Sequence, residues 1–168
     1  RKEWNYMTEW ETKNGHVTYK ESADKLPAIS KYYDYDNGAP GKSAQANGIT
    51  CIYRYADVLL MYAEASTRAI NAQALDAIQK VQKRAGYAQD QLTTTTDPTA
   101  FTTAVFNERG WEFFAEMKRW FELVRLEKVS EVRAETWNGS LFQSNNHYYF
   151  PIPYQQIRLT QWTNNAGY

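Results

Sequence analysis

The spacing of apolar side chains between residues 53 and 125 is the feature that most narrows what this chain can fold into. From Tyr53 to Ile70 the pattern runs in threes and fours, so Tyr55, Leu59, Tyr62, Ser66 and Ala69 share one helical face. Asp57, Met61, Glu64 and Arg68 form another stripe, and the small residues Ala56, Ala63, Ala65 and Ala69 let a neighbouring helix approach closely. A second helix is predicted from Ala72 to Ala85, buried along Leu75, Ile78, Val81 and Ala85 and stopped by Gly86. The link between the two is too short for anything but an antiparallel helical hairpin.

Asp97-Pro98 then offers a cap and a first-turn proline to a third helical stretch, Thr99 to Glu127, with a break expected near Gly110. In its second part Phe113, Met117, Trp120, Phe121 and Val124 fall in one stripe. Glu108, Glu112, Arg119 and Glu122 fall opposite.

The flanks read differently. Residues 1–36 alternate weakly, and Asn14-Gly15 between Glu11-Thr12 and Val17-Thr18-Tyr19 predicts a short hairpin. Ile29 to Tyr35 is a second extended segment. Residues 36–48 are loop by composition. Beyond Val132 regularity fades; Phe150-Pro151-Ile152-Pro153 is extended, and Tyr154 to Leu159 is a short helix. The fold expected is mostly α, built of helical hairpins, with long irregular loops and a minor extended N-terminal segment. No clean repeat period supports a solenoid from sequence alone.

Composition excludes several functions. Nineteen basic and nineteen acidic residues cancel, so the chain lacks the cationic surplus that phosphate binding demands. Two histidines far apart and one cysteine make no metal cluster, and neither a glycine-rich phosphate loop nor Gly-x-Ser-x-Gly occurs. No cofactor is implied. Cys51, between Ile49 and Ile52-Tyr53, reads as a small packed hydrophobe. No apolar run approaches a membrane span. Arg1-Lys2-Glu3-Trp4 does not read as a signal peptide, and the opening is that expected of an internal fragment.

Two constellations carry functional readings. Glu108, Glu112 and Glu116 recur every four residues, a spacing that can hold carboxylates in the range of roughly 5–9.5 Å used for glycoside hydrolysis. Arg109, Arg119 and Arg125 lie among them, and an ion-pair lattice is the preferred account. Arg54, Asp57, Glu64 and Arg84 extend it as a buried network joining the first two helices. The second constellation is aromatic: Tyr, Trp and Phe make 15% of the chain. Those outside the helices are Trp4, Tyr6, Trp10, Tyr32, Tyr33 and Tyr35 near the N-terminus, with Trp137 and Trp162 in C-terminal loops. Their flat faces and polar edges suit either sugar rings or ordinary packing. Asp36 and Asn37 could supply polar edges.

Several blocks, in order, resemble the SusD/RagB family. Arg54-Tyr55-Ala56-Asp57-Val58-Leu59-Leu60-Met61-Tyr62-Ala63-Glu64-Ala65 is similar to its signature helix, and Ile78 to Gly86 to the helix that follows, ending Arg-Ala-Gly. Glu108-Arg109, Glu112, Glu116, Arg119-Trp120-Phe121-Glu122-Leu123 and Arg125 resemble a third block. Phe150-Pro151-Ile152-Pro153 and Asn165-Ala166-Gly167-Tyr168 resemble the Pro-Ile-Pro and terminal elements. Gln82 stands where arginine is usual, Met117 where glycine is frequent, Glu122 for aspartate and Ala166 for proline. The resemblance covers residues 53–168, with residues 1–48 a variable region. It implies the C-terminal domain, over residues 1–168, of a longer cell-surface lipoprotein of the outer membrane, with a tetratricopeptide-like scaffold. Its lipidated cysteine and N-terminal part would lie outside this chain. It further implies non-catalytic capture of oligosaccharide, or of peptide in some members, for a SusC-type TonB-dependent transporter. A docking module without a ligand site of its own is the alternative, and a glycoside hydrolase the last.

Overall fold

A computed structural model of the protein describes residues 5–12, 15–21, 27–31, 51–129 and 148–165. Two compact units divide it, residues 1–116 and 117–168.

The first unit is organised by three helices, α1 (Tyr55–Ala65), α2 (Ala72–Arg84) and α3 (Pro98–Glu112). Local chemistry sets their ends. Asp57 of α1 reaches back to accept from the Arg54 N–H at 3.3 Å, and Asn71 caps α2 by accepting from the Ala74 N–H at 2.8 Å. Gly86, at φ +85°, closes α2. The Tyr87 N–H reaches the Gln82 carbonyl and the Gly86 N–H that of Lys83, the paired bonds of a Schellman motif. Asp97 caps α3 by accepting from the Ala100 N–H at 2.7 Å, with Pro98 at its first position.

The core lies where these helices meet, around Leu60, Ile78, Val81, Phe101 and Val105. α1 turns Ala56, Leu60 and Ala63 inward, not the Tyr55–Tyr62 stripe, because alanines let α2 and α3 come close where tyrosine would hold them off. Asp57 is buried too, so it does not share the outlook of Met61 and Arg68.

Gln82 makes a buried polar contact beside the core. Its Oε1 accepts from the Thr93 N–H at 2.9 Å and its Nε2 donates to the Thr93 hydroxyl at 2.8 Å, while Gln79 holds the Thr93 carbonyl. The threonine run after α2 is thereby pinned to it.

Among the described residues, four short strands precede the helices. β1 (Tyr6–Met7) pairs antiparallel with β4 (Ala28–Ile29), and β2 (Glu9–Thr12) with β3 (Gly15–Thr18). Gly15, at φ +116°, is the first residue of β3 and pairs with Thr12, so it belongs to the strand rather than to the turn that Asn14-Gly15 suggests. Ile29 is extended as expected; residues 32–35 lie outside the described set. Cys51 is exposed, contrary to its reading as a packed hydrophobe, and Ile52 and Tyr53 beside it are exposed as well.

The third helical stretch is not continuous. α3 passes through Gly110 and ends at Glu112; Ala115 (φ 62°) and Met117 (φ 59°) then take left-handed backbone before α4 (Arg119–Arg125). The phase resets across that break, which overturns the predicted stripes. Glu108, Glu112 and Glu122 are buried, whereas Met117 is 86% exposed and Phe121 is exposed.

In the second unit, Glu122 and Leu123 of α4 and Val129 are buried, and Trp120 packs on Phe150 with ring centroids 6.4 Å apart. α5 (Tyr154–Thr160) follows Pro153. The Pro-Ile-Pro segment is clasped from downstream: the Ile152 N–H donates to Asn164 Oδ1 at 2.8 Å, and Asn165 Nδ2 donates to the Phe150 carbonyl at 2.7 Å.

Candidate functional site

Charged side chains gather where the N-terminus of α1 meets the C-terminal ends of α2 and α3. Arg54 precedes α1 and spreads its guanidinium across two carboxylates. Its Nη1 lies 2.8 Å from Glu112, and its Nε and Nη2 donate to Glu116 at 3.0 and 2.7 Å. The carboxylates of Glu112 and Glu116 are 4% and 3% exposed, so they depend on these partners for the solvation they have lost. Arg84, at the end of α2, also pairs with Glu112, and Lys31, two residues beyond β4, pairs with Glu116.

Lys31 and Arg54 also finish the α3 C-terminus. Lys31 Nζ donates to the Glu112 and Phe114 carbonyls at 2.8 and 3.3 Å, and Arg54 Nη2 to the Glu112 carbonyl at 3.2 Å. Cations there satisfy carbonyls that the ended helix leaves open. Burial alone would disfavour the charge on Arg54, but its bonds to Glu116 and Glu112 outweigh that and raise its pKa. For Glu116 burial pushes upward, and Arg54 and Lys31 overcome it, holding the carboxyl below its ordinary 4.5.

A second group lies alongside. Arg109 of α3 sits 3.8 Å from Asp57 and 4.0 Å from Glu64, both on α1. Its guanidinium carbon and that of Arg54 are each 5.2 Å from the centre of the Phe113 ring, within cation–π range. Glu108 is fully buried one residue earlier. Arg119, in the second unit, lies 3.5 Å from Glu122 on its own helix.

Lys31 is the member that sequence reasoning misses. It stands in a weakly patterned segment, 81 residues from Glu112. Glu116 is reached by its four-residue spacing, though for the wrong reason, since α3 has ended before it.

Of the candidate ligand aromatics, Tyr6 and Trp10 are described. Tyr6, half-exposed on β1, stacks on Phe114 at 4.7 Å between centroids and 47° between planes. Trp10 lies on β2 opposite Val17, partly buried. Trp4, Tyr32, Tyr33, Tyr35 and Trp137 fall outside the described residues, as do Asp36 and Asn37. Trp162 is exposed. Trp111 is exposed on α3 near Tyr6, its carbonyl 3.4 Å from the Asn5 side-chain nitrogen; its helical position hid it among core residues. Among the described residues no group of three His, Cys, Asp or Glu could hold a metal ion, and no helix is long and apolar enough to cross a membrane.

A model of the SusD family matches residues 2–168. Two SusD-like proteins of Formosa agariphila, P2 and P25, are each 29% identical to the chain. The matches cover 89% and 80% of this chain but 32% and 26% of those proteins. The chain thus spans about a third of the length of the curated relatives it matches. A SusD homolog from Bacteroides thetaiotaomicron superposes with a TM-score of 0.65 at 22% identity, over 99% of this chain and 40% of its own. Surface glycan-binding protein A from the same organism does so with 0.59 at 30% identity, over 92% and 32%.

Proposed function

The chain belongs to the SusD family, and from that premise we propose that it serves glycan capture at the cell surface for nutrient uptake. The observation that carries this is the family match along residues 2–168, together with the likeness to a surface glycan-binding protein at 30% identity. On this reading an outer-membrane lipoprotein, of which the chain is the C-terminal domain, holds oligosaccharide by stacking and hydrogen bonding. It hands that ligand to a SusC-type TonB-dependent transporter. Tyr6 and Trp10 are the described candidates for stacking, joined by Trp4, Tyr32, Tyr33, Tyr35 and Trp137 from the remainder. Peptide is the alternative ligand.

The charge cluster supports binding without chemistry. Hydrolysis of a glycosidic bond needs one carboxyl that holds its proton near neutral pH. Glu116 is driven the other way, and Glu112 shares the same guanidinium. Arg54, Asp57, Glu64, Arg84, Glu108, Arg109 and Glu112, with Arg119 in its own unit, serve on this account as scaffold.

The test is binding by the full protein encoded by the gene, on arrays of bacterial, plant and algal glycans and of peptides. Saturable retention on at least one glycan, weakened in Tyr6→Ala or Trp10→Ala, is expected. Retention only on peptides replaces the glycan with a peptide ligand. Two blank arrays end the capture reading. Turnover of a chromogenic glycoside that vanishes in Glu112→Gln makes the protein an enzyme instead.

A further inference from the structure

Trp111 enters neither the core nor the charge cluster, although α3 carries residues of both. It is 51% exposed, near the C-terminal end of the helix. One and two turns earlier on the same face stand Asn107, half-buried, and Thr103, exposed. That face is polar and uncharged, with one large aromatic at its end. Helix geometry leans the side chain at 111 toward 107, so the indole and the Asn107 amide are neighbours. Among the described residues neither the indole N–H nor that amide has a hydrogen-bond partner. The Asn5 side chain donates to the Trp111 carbonyl at 3.4 Å, which draws β1 and its half-exposed Tyr6 alongside this end of α3.

We infer that Trp111 and Asn107 form a further sugar subsite, in which the indole stacks on the C–H face of a neutral pyranose ring while the amide and the indole N–H bind its hydroxyls. The inference rests on the capture reading and extends the binding surface from Tyr6 onto α3. Three observations favour a sugar over a covering protein segment. The indole offers a flat apolar face with a donor at its edge. The Asn107 amide both donates and accepts, and the Thr103 hydroxyl, its proton given to the Thr99 carbonyl at 2.9 Å, still accepts. A helix laid over them would bury these groups at a cost, whereas a sugar brings hydroxyls that donate and accept in return. Finally, no charge stands on this face, so an acidic sugar would find no cation to pair with.

The test is fluorine NMR of the full-length protein labelled with 5-fluorotryptophan, in which the resonance of position 111 is the one missing from Trp111→Phe. The probes are maltohexaose, cellohexaose, xylohexaose and mannohexaose, any oligosaccharide the arrays retain, and hexagalacturonic acid as the charged comparison. A saturable shift of that resonance with at least one neutral probe is expected. Calorimetry with the same probe should show binding about tenfold weaker in Trp111→Ala and about three- to tenfold weaker in Asn107→Ala. A resonance unmoved by every probe, or moved by the acidic one alone, overturns the inference. So does binding at wild-type strength in Trp111→Ala. If arrays and probes are all blank, the capture reading and the subsite fall together. If the protein binds glycan while position 111 stays silent, the subsite falls alone.

Discussion

Glu116→Gln isolates what the charge cluster is worth. The amide keeps the shape of the carboxylate but withdraws its charge from Arg54 and Lys31 in a place where the side chain is 3% exposed. Removing one partner of a buried pair costs about 3–5 kcal/mol, because the other charge is left desolvated. Two features lower that figure here. Arg54 retains Glu112 at 2.8 Å, and Lys31 retains the Glu112 and Phe114 carbonyls. Both cations also keep about a quarter of their side-chain surface in water. The expected loss is therefore about 2–4 kcal/mol at pH 7, read as a shift in the urea midpoint by tryptophan fluorescence. The sign with pH follows from the lowered folded-state pKa. The carboxylate's contribution is present in full above the ordinary value of 4.5 and is lost as pH falls through the folded-state value, because the unfolded chain binds the proton first. The gap between wild type and Glu116→Gln should hold steady from pH 8 to about 5.5 and narrow below 4.5. A gap under about 1 kcal/mol at pH 7, or one that widens on acidification, refutes the claim that Glu116 anchors the cluster. Asp76→Asn, which breaks an exposed pair with Lys80 on α2, is the control and should leave the midpoint unmoved.

Three further perturbations test the packing and the backbone. Met117→Gly should stabilise the protein by about 0.5–1 kcal/mol, since a non-glycine residue at φ 59° costs about 1–2 kcal/mol and the exposed side chain gives little back; unchanged thermal stability counts against it. Leu60→Ala should cost about 2–5 kcal/mol in chemical denaturation, because Leu60 is fully buried between α1 and its neighbours; a loss below about 1 kcal/mol would mean the core does not close there. Gln82→Leu should cost about 1–3 kcal/mol and speed hydrogen exchange at the Thr93 amide, which loses its acceptor; unchanged exchange would deny Gln82 its hold on the loop.

What the sequence revealed follows from the range of the interactions involved. Gly86 and the Asp97-Pro98 pair act within four residues of where they stand, so both ends they mark were legible. Met117 was legible in another way. The family resemblance puts a glycine where Met117 stands, and Met117 takes left-handed backbone, a conformation that glycine adopts without strain and methionine at a cost. Gly110 misled, because glycine inside a helix costs only about 1 kcal/mol and tertiary contacts override it. The break came instead after Glu112, where Lys31 and Arg54 donate to the open carbonyl. Those donors come from 81 and 58 residues away, and no local pattern announces them.

The stripes failed for a related reason, and the failure is informative about α1. Periodicity says which side chains share a face; it does not say what lies against that face. Read by spacing, Tyr55, Leu59 and Tyr62 share one face. Read by fit, Ala56 and Ala63 win the interior, because the distance between helix axes is set by the smallest side chains at the crossing. The tyrosines are then left outside without becoming a polar surface. A solvated helix is selected for charge on its outer face, as α2 carries Asp76, Lys80 and Lys83 on its own. α1 has nothing of the kind between Tyr55 and Ala65 except the two carboxylates turned to Arg109. An element patterned for burial on two sides needs neighbours on both, and among the described residues α2 and α3 supply them on the side of Ala56, Leu60 and Ala63.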